Sequence, residues 1–247
     1  MNFWDTIGNW FAELGREFKL NFIDENRWMY LVRGLGTTLL ITFFALLLGL
    51  ALGFIIAIIR STHDKVCTER KGHLLLRFGN VICKIYLTII RGTPTTVQLL
   101  IIYFVIFGSV NIDKVLCAVL AFGINSGAYV AEIIRSGIMS IDNGQNEAGR
   151  SLGLNFRRTM TFIIMPQALK NVLPALGNEF IVLLKETSIS GYIALQDLTK
   201  GGDIIRSQTY SPFMPLIAVA LIYLVIVMGL SKLLTLLERR LAKNDKR

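Results

Sequence analysis

Charge disappears from long stretches of the chain, two of them 25 residues long. Leu35 to Ile59 is a run of 25 residues without a charged side chain, and Ser207 to Ser231, which contains IAVALIYLVIVMGL, is a second. A helix of about 20 apolar residues crosses a bilayer, so both runs are long enough to span. Similar segments interrupted by polar groups bring the predicted spans to about five, at roughly 35–59, 92–110, 115–135, 173–193 and 212–236. The stretch from Leu74 to Ile90 is less apolar and reads as an amphipathic approach helix to the second span. Near the amino terminus, Phe3, Trp4, Ile7, Trp10, Phe11, Leu14 and Phe18 recur at helical spacing with Asp5, Glu13 and Glu17 between them. Such a stripe suits a helix lying at a membrane interface, and packing against the rest of the chain is the alternative. The pattern predicts an all-α membrane protein in three parts: an extracytoplasmic amphipathic segment (1–34), a transmembrane domain (35–240) containing a cytoplasmic loop (140–170), and a short tail (241–247).

Composition agrees with that pattern, because 53% of the residues are hydrophobic and only 17% charged. The net charge of +9 would suit nucleic acid, but no OB, RRM or zinc pattern accompanies it. Basic residues on a membrane chain more often record orientation. With the amino terminus outside, the segments 60–91, 135–170 and 232–247 face the cytoplasm and hold 18 of the 26 Lys and Arg residues. The carboxyl terminus is therefore expected in the cytoplasm. The first 34 residues carry both charge signs and lack a compact apolar core, unlike a removable signal peptide. Cys67, Cys83 and Cys117, with His63 and His73, show no metal-ligand spacing, so neither a disulfide nor a metal site is expected.

The segment between the third and fourth spans carries the most information. Its residues run Asn143-Gly144-Gln145-Asn146-Glu147-Ala148-Gly149-Arg150-Ser151-Leu152-Gly153-Leu154, followed by FRRTMTFIIMPQALKNVLP. A connection this long within a compact domain is usually folded or functional. Glu147 to Leu152 reads as a short helix with its carboxylate in the first turn, where it suits the helix dipole, and Gly153 as its end. A short exposed helix with small residues on one face can enter a groove on a partner.

Glu147-Ala148-Gly149, Gly153, Ile163 and Met165-Pro166 stand at the spacing EAA, x3, G, x9, I, x, L, P. The chain thereby resembles the permeases of binding-protein-dependent ABC importers, which carry that signature. Gly149 stands where the pattern has alanine and Met165 where it has leucine. Three further pieces resemble the polar amino-acid subfamily: Arg91-Gly92-Thr93-Pro94 with Gln98; Ala128 to Ile133 with Arg135-Ser136-Gly137; and Asn178-Glu179-Phe180 with Leu184 to Ser188. The resemblance runs from about residue 27 to the end. It implies the type I ABC importer permease fold in a bacterial cytoplasmic membrane. It also implies that Glu147, Ala148, Gly149, Arg150, Ser151, Leu152 and Gly153 form a coupling helix on a cytoplasmic ATPase dimer. A second permease (the same chain or a paralogue) and an extracytoplasmic amino-acid-binding protein complete the expected partners. The sequence contains no G-x-x-x-x-G-K-[ST] loop, so ATP and Mg are expected on the ATPase, with no cofactor on this chain and no catalysis by it. The cargo implied is a polar L-amino acid, with glutamine, a basic amino acid and cystine as candidates.

Ionisable groups inside spans are costly and point to function by default. Asn125, Tyr129, Glu132 and Ser136 recur on one face of the third span. In the fourth, Asn178 and Lys185 are seven apart, as are Glu179 and Glu186, and the four read as one sector. With Gln98 and Ser188 they form the predicted substrate path. The alternative is structural pairing: Glu132 with Arg91 or Arg135, and Lys185 and Glu186 across a dimer interface. Gly49 and Gly53 match a small-residue packing motif, and Gly92 and Pro94 allow either a simple helix start or a bent entry. An ion-coupled secondary transporter would also explain buried charge, but not the signature loop. A membrane enzyme lacks a candidate metal cluster or triad.

Overall fold

A computed structural model describes residues 3–69 and 74–243. His73 and residues 244–247 of the tail lie outside the described residues, as do the side chains of Phe3, Trp4, Ile7 and Cys67. Among the described residues every regular element is helical. In chain order these are α1 (Phe3–Phe18), α2 (Trp28–Glu69), α3 (Leu74–Gly92), α4 (Thr95–Leu100), α5 (Lys114–Met139), α6 (Asn143–Ser151), α7 (Phe156–Thr159), α8 (Met165–Glu186), α9 (Leu198–Thr209) and α10 (Phe213–Lys243). Short π turns follow α1, α4 and α7, and a 3₁₀ turn, Thr187–Ile193, follows α8.

Three helices are long and apolar enough to span on their own: Trp28–Asp64, Lys114–Met139 and Phe213–Leu241. A fourth candidate is a bent pair of helices. Leu74–Gly92 and Thr95–Ile106 meet at 109°. The approach helix and second span predicted from sequence are thus two arms of one bent unit, and Gly92 and Pro94 lie at its corner. Helix α8 has 22 residues, about 33 Å at the usual 1.5 Å rise, enough to cross. Its charged residues keep it below the apolarity of the other spans. Its boundaries also shift from the predicted 173–193, because the last residues of that range tighten into the 3₁₀ turn. The first span is longer at both ends than predicted.

Helix α5 is the centre of the bundle: 67% of its apolar window is buried, against 28% for α2 and 11% for α10. Small residues make that position possible. A Cβ on Gly49 would lie 3.0 Å from the Ser126 side chain, and one on Gly53 2.5 Å from Val130. From the other side, Gly123 and Gly127 of α5 receive Leu48 and Leu52 of α2. Close approach of backbones is what drives helix association where water supplies no hydrophobic force. The main apolar cluster, with Ile41, Leu99, Phe122, Leu183 and Ile193 among its members, joins α2, α4, α5, α8 and the 3₁₀ turn.

A second close contact joins α2 to α9. A Cβ on Gly34 would sit 2.4 Å from the Asp197 carbonyl oxygen, and one on Gly201 2.6 Å from that of Tyr30. Thr38 Oγ1 accepts a hydrogen bond from the Leu198 amide at 3.1 Å. Asp197, fully buried, caps α9 by accepting from the amides of Lys200 at 2.9 Å and Thr199 at 3.3 Å. The amino-terminal segment is tied to the far end of α9. Asn21 accepts from Thr209 Oγ1 at 2.7 Å, and Glu17 accepts from Ser211 Oγ at 2.7 Å. Trp10, Phe11 and Phe18 of the amphipathic stripe stay exposed on this chain.

Two measurements check the α2–α9 contact. Gly34→Ala forces a methyl against backbone and is expected to destabilise the purified protein by about 1–3 kcal/mol. Gly36→Ala, with nothing within 4 Å, is expected to raise the melting temperature, by an amount equivalent to about 1 kcal/mol or less. Burial pushes the Asp197 carboxyl up to about 6, against the pull of the two amides. A carboxyl raised in the folded chain adds stability fully below its ordinary value of 3.8, and that contribution is lost as pH rises through about 6. The melting temperature of the wild type should therefore fall relative to Asp197→Asn between pH 5 and pH 7.

Candidate functional site

The predicted loop helix is present as α6. Asp142 caps it, its carboxylate accepting from the Gly144 amide at 2.6 Å. Gly153 ends it at φ +79°, a left-handed conformation that suits glycine. Its amide donates to Arg150 O at 2.9 Å, and that of Leu154 to Gly149 O at 3.1 Å. Glu147, Ala148, Arg150, Ser151, Leu152 and Gly153 are all exposed, Leu152 at 81%. Gly149 alone of the seven predicted residues is buried.

That burial accounts for the departure from the EAA pattern. A Cβ at Gly149 would stand 2.7 Å from Thr159 Cγ2 and 3.0 Å from Ile163 Cδ1. Thr159 is itself fixed, fully buried and donating to Asn155 O at 3.2 Å. The missing methyl lets α6 lie directly on the segment leading into α8. Gln167 of α8 reaches Gln145 of α6 at 3.4 Å, and Asn171 of α8 donates to Ser140 Oγ, just past α5, at 2.8 Å. The exposed face of α6 is thus anchored to α8 and α5 from behind.

Deeper in the bundle, α5 holds two neighbouring buried polar residues with different partners. Asn125 donates to Gln98 Oε1 at 2.9 Å. The Gln98 amide nitrogen points back across the bend, 2.7 Å from Ile90 O, 2.8 Å from Thr93 Oγ1 and 3.1 Å from Thr93 O. Gln98 therefore holds the 109° corner and attaches it to α5. Ser126 donates to Glu179 Oε1 of α8 at 2.7 Å. Of the predicted substrate-path residues, Gln98, Asn125 and Glu179 are buried and spoken for.

The others divide. Tyr129, Glu132 and Ser136 continue the α5 stripe where it is open, Tyr129 at 36% exposure. Asn178 and Lys185 are exposed, whereas Glu186 and Ser188 are half-buried. The single sector predicted for α8 is two: Glu179 turns into the packed interior and Asn178 and Lys185 turn out. Glu132 pairs with Arg60 at 3.2 Å and Arg91 at 3.9 Å, and Arg91 lies 5.9 Å from the centroid of the Tyr129 ring. Arg135, the other predicted partner of Glu132, instead pairs with Asp64 at 3.8 Å. Arg60, paired with Glu132, and Ser126, bonded to Glu179, are partners of the predicted residues that the sequence pattern does not single out. Arg60 was visible only as the charge ending the first span, and Ser126 fell beside the chosen stripe.

The comparisons with known proteins bear on the family and the fold. The family model of the binding-protein-dependent transport system inner membrane component matches residues 75–243. The putative glutamine transport system permease protein GlnP of Rickettsia typhi is 36% identical over 218 residues, covering 87% of this chain and 94% of its own length. The arginine transport system permease protein ArtQ of Bacillus subtilis is 37% identical over 218 residues, with the same coverage. GlnP of Escherichia coli K12 is 36% identical over 214 residues, or 85% of this chain and 92% of its own. Among solved structures, an amino acid ABC transporter crystallised with histidines matches with TM-score 0.78 and 44% identity, over 89% of this chain and 98% of its own. The inward-facing methionine transporter MetNI matches with TM-score 0.68 over 87% and 97%, and at 18% identity this likeness is one of fold.

Two substitutions separate the roles described. Gly149→Ala is expected to loosen α6 at a cost of about 1–3 kcal/mol from overpacking, and Thr159→Ser in the same chain should recover most of the loss by removing the opposing methyl. Gln98→Leu leaves the Asn125 amide buried without its acceptor and should cost about 1–3 kcal/mol. Thermal unfolding of the purified variants reads both.

Proposed function

We propose, from the premise that this chain belongs to the family of binding-protein-dependent transport system inner membrane components, that it moves a polar L-amino acid inward by alternating access, driven by an ATPase seated on α6. As a family member it is the permease subunit of an amino-acid ABC importer, a multi-pass protein of the bacterial inner membrane. In this proposal an ATPase dimer docks on the cytoplasmic side, a second permease completes the pathway, and a binding protein delivers the amino acid. Glutamine and arginine permeases among the relatives favour a polar or basic cargo.

The observation that carries the reading is the one-sided burial of α6. Gly149 is locked against Thr159 and Ile163, while Glu147, Ala148 and the stretch Arg150 to Gly153 face outward. A helix presented in this way, with an 81% exposed leucine at its end, is suited to a cleft on a soluble partner. Force applied there passes through the packing of Gly149 on Thr159 and Ile163 into the start of α8, and from α8 through Glu179–Ser126 to the centre of the bundle. ATP can favour one orientation only by binding it more tightly than the other. The chain has no phosphate loop of its own, so that differential must enter through such a contact.

Purification from native membranes in mild detergent tests this. Recovery of an ATPase with a phosphate-binding loop is expected, together with at least a roughly tenfold loss of that recovery for Leu152→Asp, an exposed apolar anchor of the kind that dominates interfaces. The melting temperature of this chain should not change. Equal recovery with Leu152→Asp would remove α6 as the docking site. Uptake by this chain alone without ATP would replace the importer with an ion-coupled transporter.

A further inference from the structure

Beside Glu132 the structure has an open cleft of about 540 Å³, lined by Arg60, Lys84, Leu87, Thr88, Arg91, Gly92 and Glu132. Three cations and one carboxylate line it, so the cleft carries two positive charges in excess. Arg60 is the firm partner of Glu132, at 3.2 Å with its side chain 16% exposed. Arg91 is the loose one, at 3.9 Å and 46% exposed. Lys84 is exposed and has no ion pair among the described residues.

Unmatched charge on a membrane helix faces a water-filled cavity, because lipid cannot solvate it. Helix α3 is built accordingly. Lys84, Thr88 and Arg91 fall on one face, and the exposed Ile82 and Ile89 turn away from it. The apolar face suits lipid, which leaves the cationic face for water and whatever crosses in it. The cleft volume is in the range of small-molecule sites, and a guanidinium fork is the side chain best matched to a carboxylate.

We propose that this cleft is a subsite for the α-carboxylate of the transported amino acid, with Arg91 as its ligand and Lys84 supporting. Glu132 is the resident counter-ion that the arriving carboxylate displaces from Arg91. When the carboxylate leaves, Glu132 returns to Arg91, so the site is reset without leaving an arginine unpaired. This assignment rests on the importer reading above, but it concerns the cargo and not the ATPase contact.

The test is calorimetric titration of the assembled permease–ATPase complex in phosphatidylcholine nanodiscs. The probes are L-glutamine and L-arginine, each against its decarboxylated counterpart, 4-aminobutanamide and agmatine. At least one amino acid should bind about 10-fold or more tightly than its counterpart, the order expected for a charge-assisted hydrogen bond. Arg91→Gln should abolish that preference, and Glu132→Gln should tighten amino-acid binding while slowing uptake. Absence of binding by either amino acid, equal binding of acid and amine, or a preference unchanged in Arg91→Gln would overturn the subsite. Unchanged or weaker binding in Glu132→Gln would overturn the displacement. If Arg91→Gln fails to assemble, Lys84→Gln carries the test, with a reduced preference expected and an unchanged one overturning it. Loss of the preference in phosphatidylglycerol discs would assign the cations to a lipid headgroup instead. Co-purification of the ATPase is read separately, so a failure of coupling is distinguishable from a failure of the subsite.

Discussion

The bundle depends on two consecutive polar side chains of α5 that bond in opposite directions, Asn125 through its amide nitrogen and Ser126 through its hydroxyl. Asn125 reaches the corner of the bent pair through Gln98, and Ser126 reaches α8 through Glu179. Both are buried, and a buried polar group left unpaired costs more than a satisfied one contributes. The register of three separate elements is therefore fixed from one turn of one helix. Gly49 belongs to the same constraint, since a methyl there would meet Ser126. Apolar packing alone would leave α2, α4 and α8 free to slide along α5, because leucine against leucine differs little from leucine against lipid.

Much of this was legible from residue patterns. Charge-free runs located α2 and α10, and the small-residue pair Gly49 and Gly53 announced a close helix contact within the subunit, though not its partner. The loop helix, its Gly153 end and its exposed face followed from turn chemistry and spacing. The same small-residue spacing recurs at Gly123 and Gly127 and was there to be read. The bend was less legible. Gly92 and Pro94 permit a corner, but nothing local dictates one. What fixes it is Gln98 bonding back to Ile90 and Thr93, a contact made by tertiary position. Periodicity likewise placed Glu179 beside Asn178 without showing that one turns inward. Side chains 100° apart on a helix can share a face or straddle its edge, and only the position of Ser126 decides.

Gly149 shows how a departure from a pattern can be read physically. An alanine-to-glycine change in a helix ordinarily lowers stability by about 1 kcal/mol. Here the loss is offset because Thr159, a branched residue fixed by its own hydrogen bond, occupies the space a methyl would take. The exchange tightens the contact between α6 and the start of α8. It keeps the outward face of α6 unchanged, so the surface offered to a partner is preserved while its mounting is altered.

That mounting and the charge cluster around Glu132 sit at opposite ends of one mechanical route. From α6 the contacts run to α8 through Gln145–Gln167, and from α8 to α5 through both Asn171–Ser140 and Glu179–Ser126. Helix α5 then carries Tyr129 and Glu132 toward Arg60 on α2 and Arg91 on α3. Close-packed helices with satisfied buried bonds move as bodies more readily than they deform. The Arg91–Glu132 contact at 3.9 Å is the longest pair on that route. Under the proposed importer function, a rigid interior ending in a loose ion pair is what would turn a push on α6 into a change of partners at Glu132.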